Sequence, residues 1–219
     1  MSDQRLPDNI PDLLQFISVV YDYRINECGP VANGVFWSSQ DLQVLRYEVL
    51  LKAIFPEDLK GPISINDLGC GYGALFDLIA KDPMMKSGRY IGYDISEKMI
   101  RTAKTQHHDF RTRFITSPVA TEVADYSFVS GTYNMYMGTD AVMWRQYIKT
   151  SLNALWSKTT KAMAFNLLSE KSTKNFPDLF YANAQEFTEY ALTLSPKIEL
   201  IDDYDDNEFT LIVKRQRTL

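Results

Sequence analysis

The chain has 219 residues, 45% of them hydrophobic and 23% charged, a composition that excludes an intrinsically disordered protein. Its formal net charge of -5 gives no general attraction to phosphate backbones, so nucleic acid is not an expected partner. Two cysteines, no apolar run of about 20 residues and an acidic N-terminal stretch predict a cytoplasmic protein without a signal peptide, a membrane span or a metal site.

Two helices are predicted before the first strand. Apolar residues at helical spacing predict a helix over residues 10–20, and a serine cap and Pro56 delimit a second helix from Ser38 or Ser39 to about Phe55. Turn signals predict an irregular segment between them, from Tyr21 to Trp37. We therefore expect residues 1–56 to form a helical cap and lid segment on a compact core of residues 57–219.

From Ile63 onwards the pattern alternates between strands and helices. Predicted strands cover residues 63–68, 90–93, 113–116, 126–130, 161–168, 197–201 and 208–214. Predicted helices cover residues 74–80, a segment capped by Ser96, residues 140–156 and a segment opened by Asn183. This alternation predicts an α/β fold with a mainly parallel sheet covered on both faces, and ligands at the carboxyl ends of its strands.

The strongest motif is Asp67-Leu68-Gly69-Cys70-Gly71-Tyr72-Gly73, between the first strand and its helix. Glycines at such a junction let the backbone turn sharply and approach a ligand closely. Asp94 ends the next strand, where a carboxylate can accept hydrogen bonds from both hydroxyls of a ribose. The alternatives are a turn without a ligand and, for Asp94, a carboxylate that only caps a helix or is solvated.

These residues resemble the class I family of S-adenosylmethionine-dependent methyltransferases. The resemblance implies a Rossmann-like three-layer sandwich whose seven-stranded sheet ends in a reversed C-terminal strand. It also implies S-adenosylmethionine as cofactor and S-adenosylhomocysteine as product. The turn would hold the methionine portion through Asp67, Gly69, Cys70, Gly71 and Gly73.

The resemblance extends to the nucleoside half of the cofactor. Asp94 would bind the ribose and Ile95 would lie against the adenine. The family often has an acidic residue after the third strand, but Thr116-Ser117-Pro118 stands there in this chain. Ser117 or a backbone carbonyl is therefore expected to take over that contact.

The chain further resembles a bacterial group of small methyltransferases, in stretches such as Gly34-Val35-Phe36-Trp37 and Ser130-Gly131-Thr132-Tyr133-Asn134. The second stretch leaves the fourth strand beside the expected methyl group. Ser130 is assigned to the cofactor, and Tyr133 and Asn134 are assigned to the acceptor, with a turn-stabilising asparagine as the alternative. The resemblance supplies no acceptor; we expect a small molecule that is methylated on nitrogen or oxygen.

Other candidate site residues lie outside these stretches. Asn166, in an apolar strand, is assigned either to the acceptor or to a neighbouring loop, because a buried amide needs partners. Arg46 is assigned to the carboxylate of the cofactor, with a structural salt bridge as the alternative. Trp37 is a lid residue or a core anchor, and Tyr23 and Tyr181 either contact the acceptor or only pack.

Two rival functions remain open at this stage. Gly69-x-Gly71-x-x-Ala74 also fits the dinucleotide fingerprint, so an NAD(P)-dependent oxidoreductase is one alternative. The other is a non-catalytic module that binds S-adenosylmethionine. No side chain stands out as a general base, which favours an amine or an already acidic acceptor. The chain is expected to be a monomer or a homodimer.

Overall fold

The computed structural model describes residues 10–216. Its α-helices are α1 (Ile10–Cys28), α2 (Gln40–Leu51), α3 (Ala74–Ile79), α4 (Glu97–Gln106), α5 (Ala141–Ser157) and α6 (Ala184–Leu194). Its strands are β1 (Ser64–Leu68), β2 (Arg89–Asp94), β3 (Thr112–Thr116), β4 (Ala124–Val129), β5 (Thr159–Leu168), β6 (Lys197–Ile201) and β7 (Glu208–Lys214). Within this range, no helix combines the length and the apolar content that crossing a bilayer requires.

The predicted helix caps are present. The Ser39 hydroxyl accepts a hydrogen bond from the Leu42 backbone amide at 3.2 Å, and the Ser96 hydroxyl accepts one from Met99 at 2.9 Å. Asn183 caps α6 in the same way, by accepting from the Glu186 amide at 3.0 Å. These side chains satisfy amides that a helix leaves unpaired at its N-terminus, which explains where the helices begin.

The prediction for Tyr21–Trp37 is wrong over its first part, because α1 continues to Cys28. Apolar residues stay on the buried face of this helix, with Ile25 buried four residues after Tyr21. Only the segment after Gly29 is irregular, with a 3-10 helix over Ala32–Val35. Gly29 ends the helix in the left-handed conformation (φ 73°) that helix termini commonly use.

The seven strands form one sheet in the order β3-β2-β1-β4-β5-β7-β6. Strands β1 to β5 pair in parallel with one another, whereas β7 is antiparallel to both β5 and β6. The prediction of a mainly parallel sheet with a reversed C-terminal strand is therefore confirmed. The order reverses at β1, which opens a crevice between the carboxyl ends of β1 and β4.

Helices cover both faces of the sheet and give the three predicted layers. One apolar cluster joins the sheet to α1, α5 and α6, and a second joins the opposite face to α2, α3 and α4. Helix α2 thus packs on the sheet as part of the sandwich, through Val49 and Leu50 among others. Of the segment expected to be a cap, α1, the 3-10 helix and Trp37 contribute residues from outside this layer to the cavity described next.

Candidate active site

A cavity lies at the carboxyl ends of β1, β2 and β4, where the fold predicts a ligand. Its walls come from the glycine turn, from α1 and from the segments that follow β2, β3 and β4. The predicted site residues that line it are Trp37, Gly69, Cys70, Gly71, Asp94, Ile95, Ser117, Ser130 and Tyr133. The cavity therefore unites most of the glycine turn with the residues that follow β2, β3 and β4.

The glycine turn forms one wall of the cavity. Gly69 and Gly71 have positive φ angles of 78° and 54°, a conformation that glycine adopts without strain. A Cβ atom at Gly69 would lie 2.0 Å from Oγ1 of Thr132, so no other side chain fits there. The Cys70 thiol is buried, and burial raises its pKa well above the usual range. Cys70 is accordingly a small packing residue in the turn, with an unreactive thiol.

Asp94 links the turn to the next strand end. Its carboxylate accepts hydrogen bonds from the Gly71 amide at 2.9 Å and from the Ser96 amide at 2.8 Å. Burial raises its pKa to about 6, although these two backbone hydrogen bonds oppose the shift. A carboxylate has about four lone-pair sites, so two remain for a ligand in the cavity.

Asp67 does not line this cavity, and its assignment to the cofactor stays a prediction. Its carboxyl group accepts a hydrogen bond from the Tyr90 hydroxyl beneath the turn, and the residue is 2% exposed. Burial raises its pKa to about 7, opposed by the bond from Tyr90. Because strand residues alternate between faces, Asp67 points to the face of the sheet that α2 and α3 cover.

Gly73 likewise lies outside the cavity lining. A Cβ atom there would come within 2.7 Å of Nε2 of His107. Its φ of 91° also requires glycine at the start of α3. The third glycine therefore serves the packing of α3 against the end of α4, and its assignment to the cofactor stays a prediction.

Arg46 is buried behind the cavity wall and does not reach the cavity. Its Nε lies 2.7 Å from the Glu208 carboxylate, and its guanidinium carbon stacks 4.3 Å from the centroid of the Trp37 ring. Asp205 adds a second carboxylate at 3.7 Å. The structural salt bridge is thus the correct alternative, and Trp37 is both a cavity wall and a packed side chain.

The segment after β4 is placed differently from the prediction. Tyr133 lines the cavity with its ring, but its hydroxyl donates to Ser151 in α5 at 2.8 Å and so faces away from the cavity. Asn134 and Asn166 lie behind the lining. Asn166 accepts a hydrogen bond from the Gly131 amide at 2.7 Å, which fits the alternative that it ties down a neighbouring loop.

Tyr23 and Tyr181 are not part of the cavity, which corrects both assignments. Tyr23 is 67% exposed on the outer face of α1, and its neighbour Tyr21 lines the cavity instead. The Tyr181 hydroxyl donates to the Lys174 carbonyl at 2.9 Å and accepts from the Phe176 amide at 3.1 Å. Tyr181 therefore fastens its own loop.

A polar group that the sequence analysis missed separates this cavity from a neighbouring surface pocket. Gln43 of α2 donates to the Tyr47 hydroxyl at 3.2 Å and accepts from the Tyr72 hydroxyl at the same distance. All three side chains line both spaces. The signal was a glutamine four residues before a tyrosine on the buried face of a helix, because such an amide needs hydrogen-bond partners.

The cavity wall carries little charge. Among the described residues that line it, Asp94 is the one carboxylate, and there is no lysine, arginine or histidine. Aromatic rings dominate the rest of the wall, from Tyr21, Trp37, Trp144 and Tyr147 among others. Residues 10–216 contain no cluster of three histidine, cysteine, aspartate or glutamate side chains that could hold a metal ion.

Comparisons with known proteins agree with this geometry. The profile of a family described as a methyltransferase domain matches residues 65–159. Rv1506c of Mycobacterium tuberculosis, assigned as a methyltransferase, is 34% identical over 158 residues, which cover 70% of this chain and 94% of that protein. The match includes most of both chains, so the relationship extends beyond the glycine turn.

Solved structures share the fold at low sequence identity. Magnesium protoporphyrin IX methyltransferase from Synechocystis PCC 6803, with bound S-adenosylhomocysteine, has a TM-score of 0.62 at 14% identity and covers 94% of this chain and 98% of its own. DhpI in complex with S-adenosylhomocysteine has a TM-score of 0.63 at 13% identity and covers 93% of this chain and 96% of its own. The plantazolicin methyltransferase BpumL has a TM-score of 0.56 at 13% identity and covers 94% of this chain and 99% of its own.

Fold and site define a Rossmann-like enzyme that takes its methyl group from S-adenosylmethionine. The chain belongs to the class I family of S-adenosylmethionine-dependent methyltransferases. The oxidoreductase alternative is thereby wrong, although the spacing of Gly69, Gly71 and Ala74 fits it.

Proposed function

We propose that this chain transfers the methyl group of S-adenosylmethionine to a nitrogen or oxygen atom of a small-molecule acceptor in the cytoplasm. The observation that carries this proposal is the shape and charge of the cavity. It is walled by aromatic side chains, partly covered by α1, and free of lysine, arginine and histidine among the described lining residues. A polymeric nucleic acid needs a basic surface, and this cavity offers none.

The residues at the turn fit the cofactor. Asp94 keeps two lone-pair sites free beside the glycine backbone, which is the arrangement that two ribose hydroxyls require. Ile95 and Ser117 line the cavity next to it and would flank the adenine. The Ser117 hydroxyl already bonds the Val119 backbone, donating to its carbonyl at 2.7 Å. The adenine contact therefore falls to the backbone of this segment.

Helix α1 is the cap in this proposal. Leu14, Ile17 and Tyr21 of α1 line the cavity, and Asp22 accepts a hydrogen bond from the Ser96 hydroxyl at the start of α4. This contact holds α1 beside the Asp94 strand end. Residues 1–9 of the expected cap lie outside the described part of the chain.

Bound S-adenosylmethionine would supply an already activated methyl group and would leave as S-adenosylhomocysteine. The protein then has to orient the acceptor and exclude water. The aromatic wall and α1 would provide both. No carboxylate besides Asp94 lines the cavity among the described residues, and that one is held by two backbone amides. An acceptor that needs no strong general base suits this wall. The magnesium protoporphyrin IX methyltransferase of the same fold is a precedent for a non-polymeric acceptor.

Transfer of a labelled methyl group tests this function. The full chain is incubated with methyl-labelled S-adenosylmethionine and, in separate reactions, a low-molecular-weight metabolite extract, purified RNA and a mixed protein fraction. We expect label in the metabolite extract together with an equal amount of S-adenosylhomocysteine, and none in the two polymers. Label confined to RNA or protein, or binding of the cofactor with no transfer to any extract fraction, would contradict the proposal.

A further inference from the structure

Polar side chains occupy one row across the ends of β4, β5 and β7. Val129 pairs with Phe165, so Ser130 and Asn166 are the next residues of neighbouring strands, and Asn166 pairs with Thr210. Residues two apart on a strand share a face. Ala164 lies two residues before Asn166 and packs in the apolar cluster that contains α2. The row therefore faces the layer of α2, on the Trp37 side of the cavity.

Three atoms around this row are buried and have no hydrogen-bond partner among residues 10–216. They are the Ser130 hydroxyl, Nδ2 of Asn166 and Oδ1 of Asn134. Asn166 itself is 1% exposed, and its Oδ1 is already engaged by the Gly131 amide, so its Nδ2 must be the free donor. Buried polar groups are almost always satisfied, and leaving three unpaired in one place is costly. Groups that fold without partners are candidates to receive them from a ligand.

The three atoms adjoin the cavity at Gly131. Ser130 and Gly131 line it, and a Cβ atom at Gly131 would lie 3.5 Å from Nδ2 of Asn134. The same Cβ atom would lie 2.4 Å from Cζ2 of Trp37, so the Trp37 ring covers this point of the wall. Gly131 is thus the place where the cavity, the two asparagines and Trp37 meet.

We propose that these atoms form the acceptor subsite and, when the Trp37 ring that covers them moves aside, bind a neutral amide group, a carboxamide or a lactam, of the methyl acceptor. The inference rests on the proposed function and deepens it. Asn166 would donate to the amide carbonyl, Asn134 would accept from the amide N–H, and Ser130 can do either. A carboxylate does not fit, because the nearby cation Arg46 is already paired with Glu208. The amide is a recognition group, because its nitrogen lone pair is delocalised and a different atom takes the methyl.

Under this proposal Ser130 contacts the acceptor, not the cofactor to which the sequence analysis assigned it. Binding of three probes to the chain loaded with S-adenosylhomocysteine separates the two. Benzamide presents the neutral donor and acceptor pair, benzoate replaces it by an anion and benzylamine replaces it by a cation. We expect benzamide to bind at least tenfold more tightly than either analogue. Titrations followed by ligand-observed NMR measure this.

Ser130→Ala is the decisive variant, because it removes a hydroxyl that has no partner in the fold and should leave stability unchanged or slightly raised. We expect it to weaken benzamide about fivefold, the usual effect of one neutral hydrogen bond, and to keep the affinity for S-adenosylhomocysteine. Asn166→Asp keeps the acceptor for the Gly131 amide and removes the donor. We expect it to abolish benzamide binding.

Ser127→Ala is the matched control, since Ser127 is buried in β4 three residues before Ser130 and is paired with Thr159 at 2.7 Å. It should lower stability and change neither affinity. Benzamide that does not bind, benzoate that binds equally well, or Ser130→Ala that weakens S-adenosylhomocysteine instead would overturn the subsite. Wild type that fails to bind S-adenosylhomocysteine at all would count against the proposed function itself.

Discussion

Asp94→Ala is expected to weaken the binding of S-adenosylhomocysteine at least about 100-fold. In the proposed site the carboxylate accepts both ribose hydroxyls, and hydrogen bonds to a charged group contribute about 1.5–3 kcal/mol each. Two such bonds correspond to at least about 3 kcal/mol, or two orders of magnitude in affinity. Isothermal titration calorimetry measures the change. Glu97→Ala is the matched control, because that carboxylate is exposed on the following helix and pairs with the exposed Arg101.

The same site predicts a pH dependence with a definite sign. Burial raises the pKa of Asp94 to about 6, and the ionised form is the one that accepts two hydroxyl hydrogens. The affinity for S-adenosylhomocysteine should therefore be constant above about pH 7. It should fall roughly tenfold between about pH 7 and about pH 5, one unit below the pKa of Asp94. Asp94→Asn should bind weakly at every pH. An unchanged affinity in Asp94→Ala, or wild-type affinity that rises as the pH falls, would contradict the ribose role.

Arg46→Ala is expected to lower the free energy of unfolding by about 3–5 kcal/mol, because it leaves Glu208 buried without its cation. The Glu208 side chain is 1% exposed, and burial already raises its pKa despite the opposing charge of Arg46. Chemical denaturation near pH 8 measures the loss. At this pH the unpaired Glu208 is either a buried charge or is protonated at a cost in free energy, and both lower stability. Adding Glu208→Gln should recover part of it, because the double variant has no unpaired buried charge.

Arg101→Ala provides the control for Arg46. Its ion pair with Glu97 spans 3.6 Å between two exposed side chains, so its loss should change stability by no more than about 1 kcal/mol. Arg46→Ala should also keep its affinity for S-adenosylhomocysteine within a few-fold, since Arg46 does not line the cavity. Normal stability combined with a large loss of affinity would restore Arg46 as a contact of the cofactor carboxylate.

Local sequence was enough to predict most of the fold. The strands β6 and β7 begin and end at the predicted residues, since alternation and β-branched side chains act within the strand itself. The caps at Ser39, Ser96 and Asn183 are local as well, because each bonds an amide three residues on. The end of α1 was predicted too early. The apolar face of the helix continues past Tyr21 to Ile25, and the turn signals at Gly29-Pro30 come only eight residues after Tyr21.

The site was predictable only where it is built from neighbouring residues. The placement of Gly69, Gly71 and Asp94 on the cavity follows from a strand, a turn and the next strand end. Arg46 was misassigned because its partner Glu208 stands 162 residues away, and nothing in the sequence near either residue reveals the pair. Gln43 was missed for a similar reason, because it joins the Tyr47 hydroxyl of its own helix to the Tyr72 hydroxyl of the glycine turn, 29 residues away.

A crystal structure of the full chain with S-adenosylhomocysteine tests the central claim most directly, because it fixes where both halves of the site lie. The account predicts that both ribose hydroxyls donate to the Asp94 carboxylate and that the sulfur faces the part of the cavity bounded by Trp37 and Ser130. A ribose that lies away from Asp94, or a sulfur that faces away from Trp37 and Ser130, would contradict it.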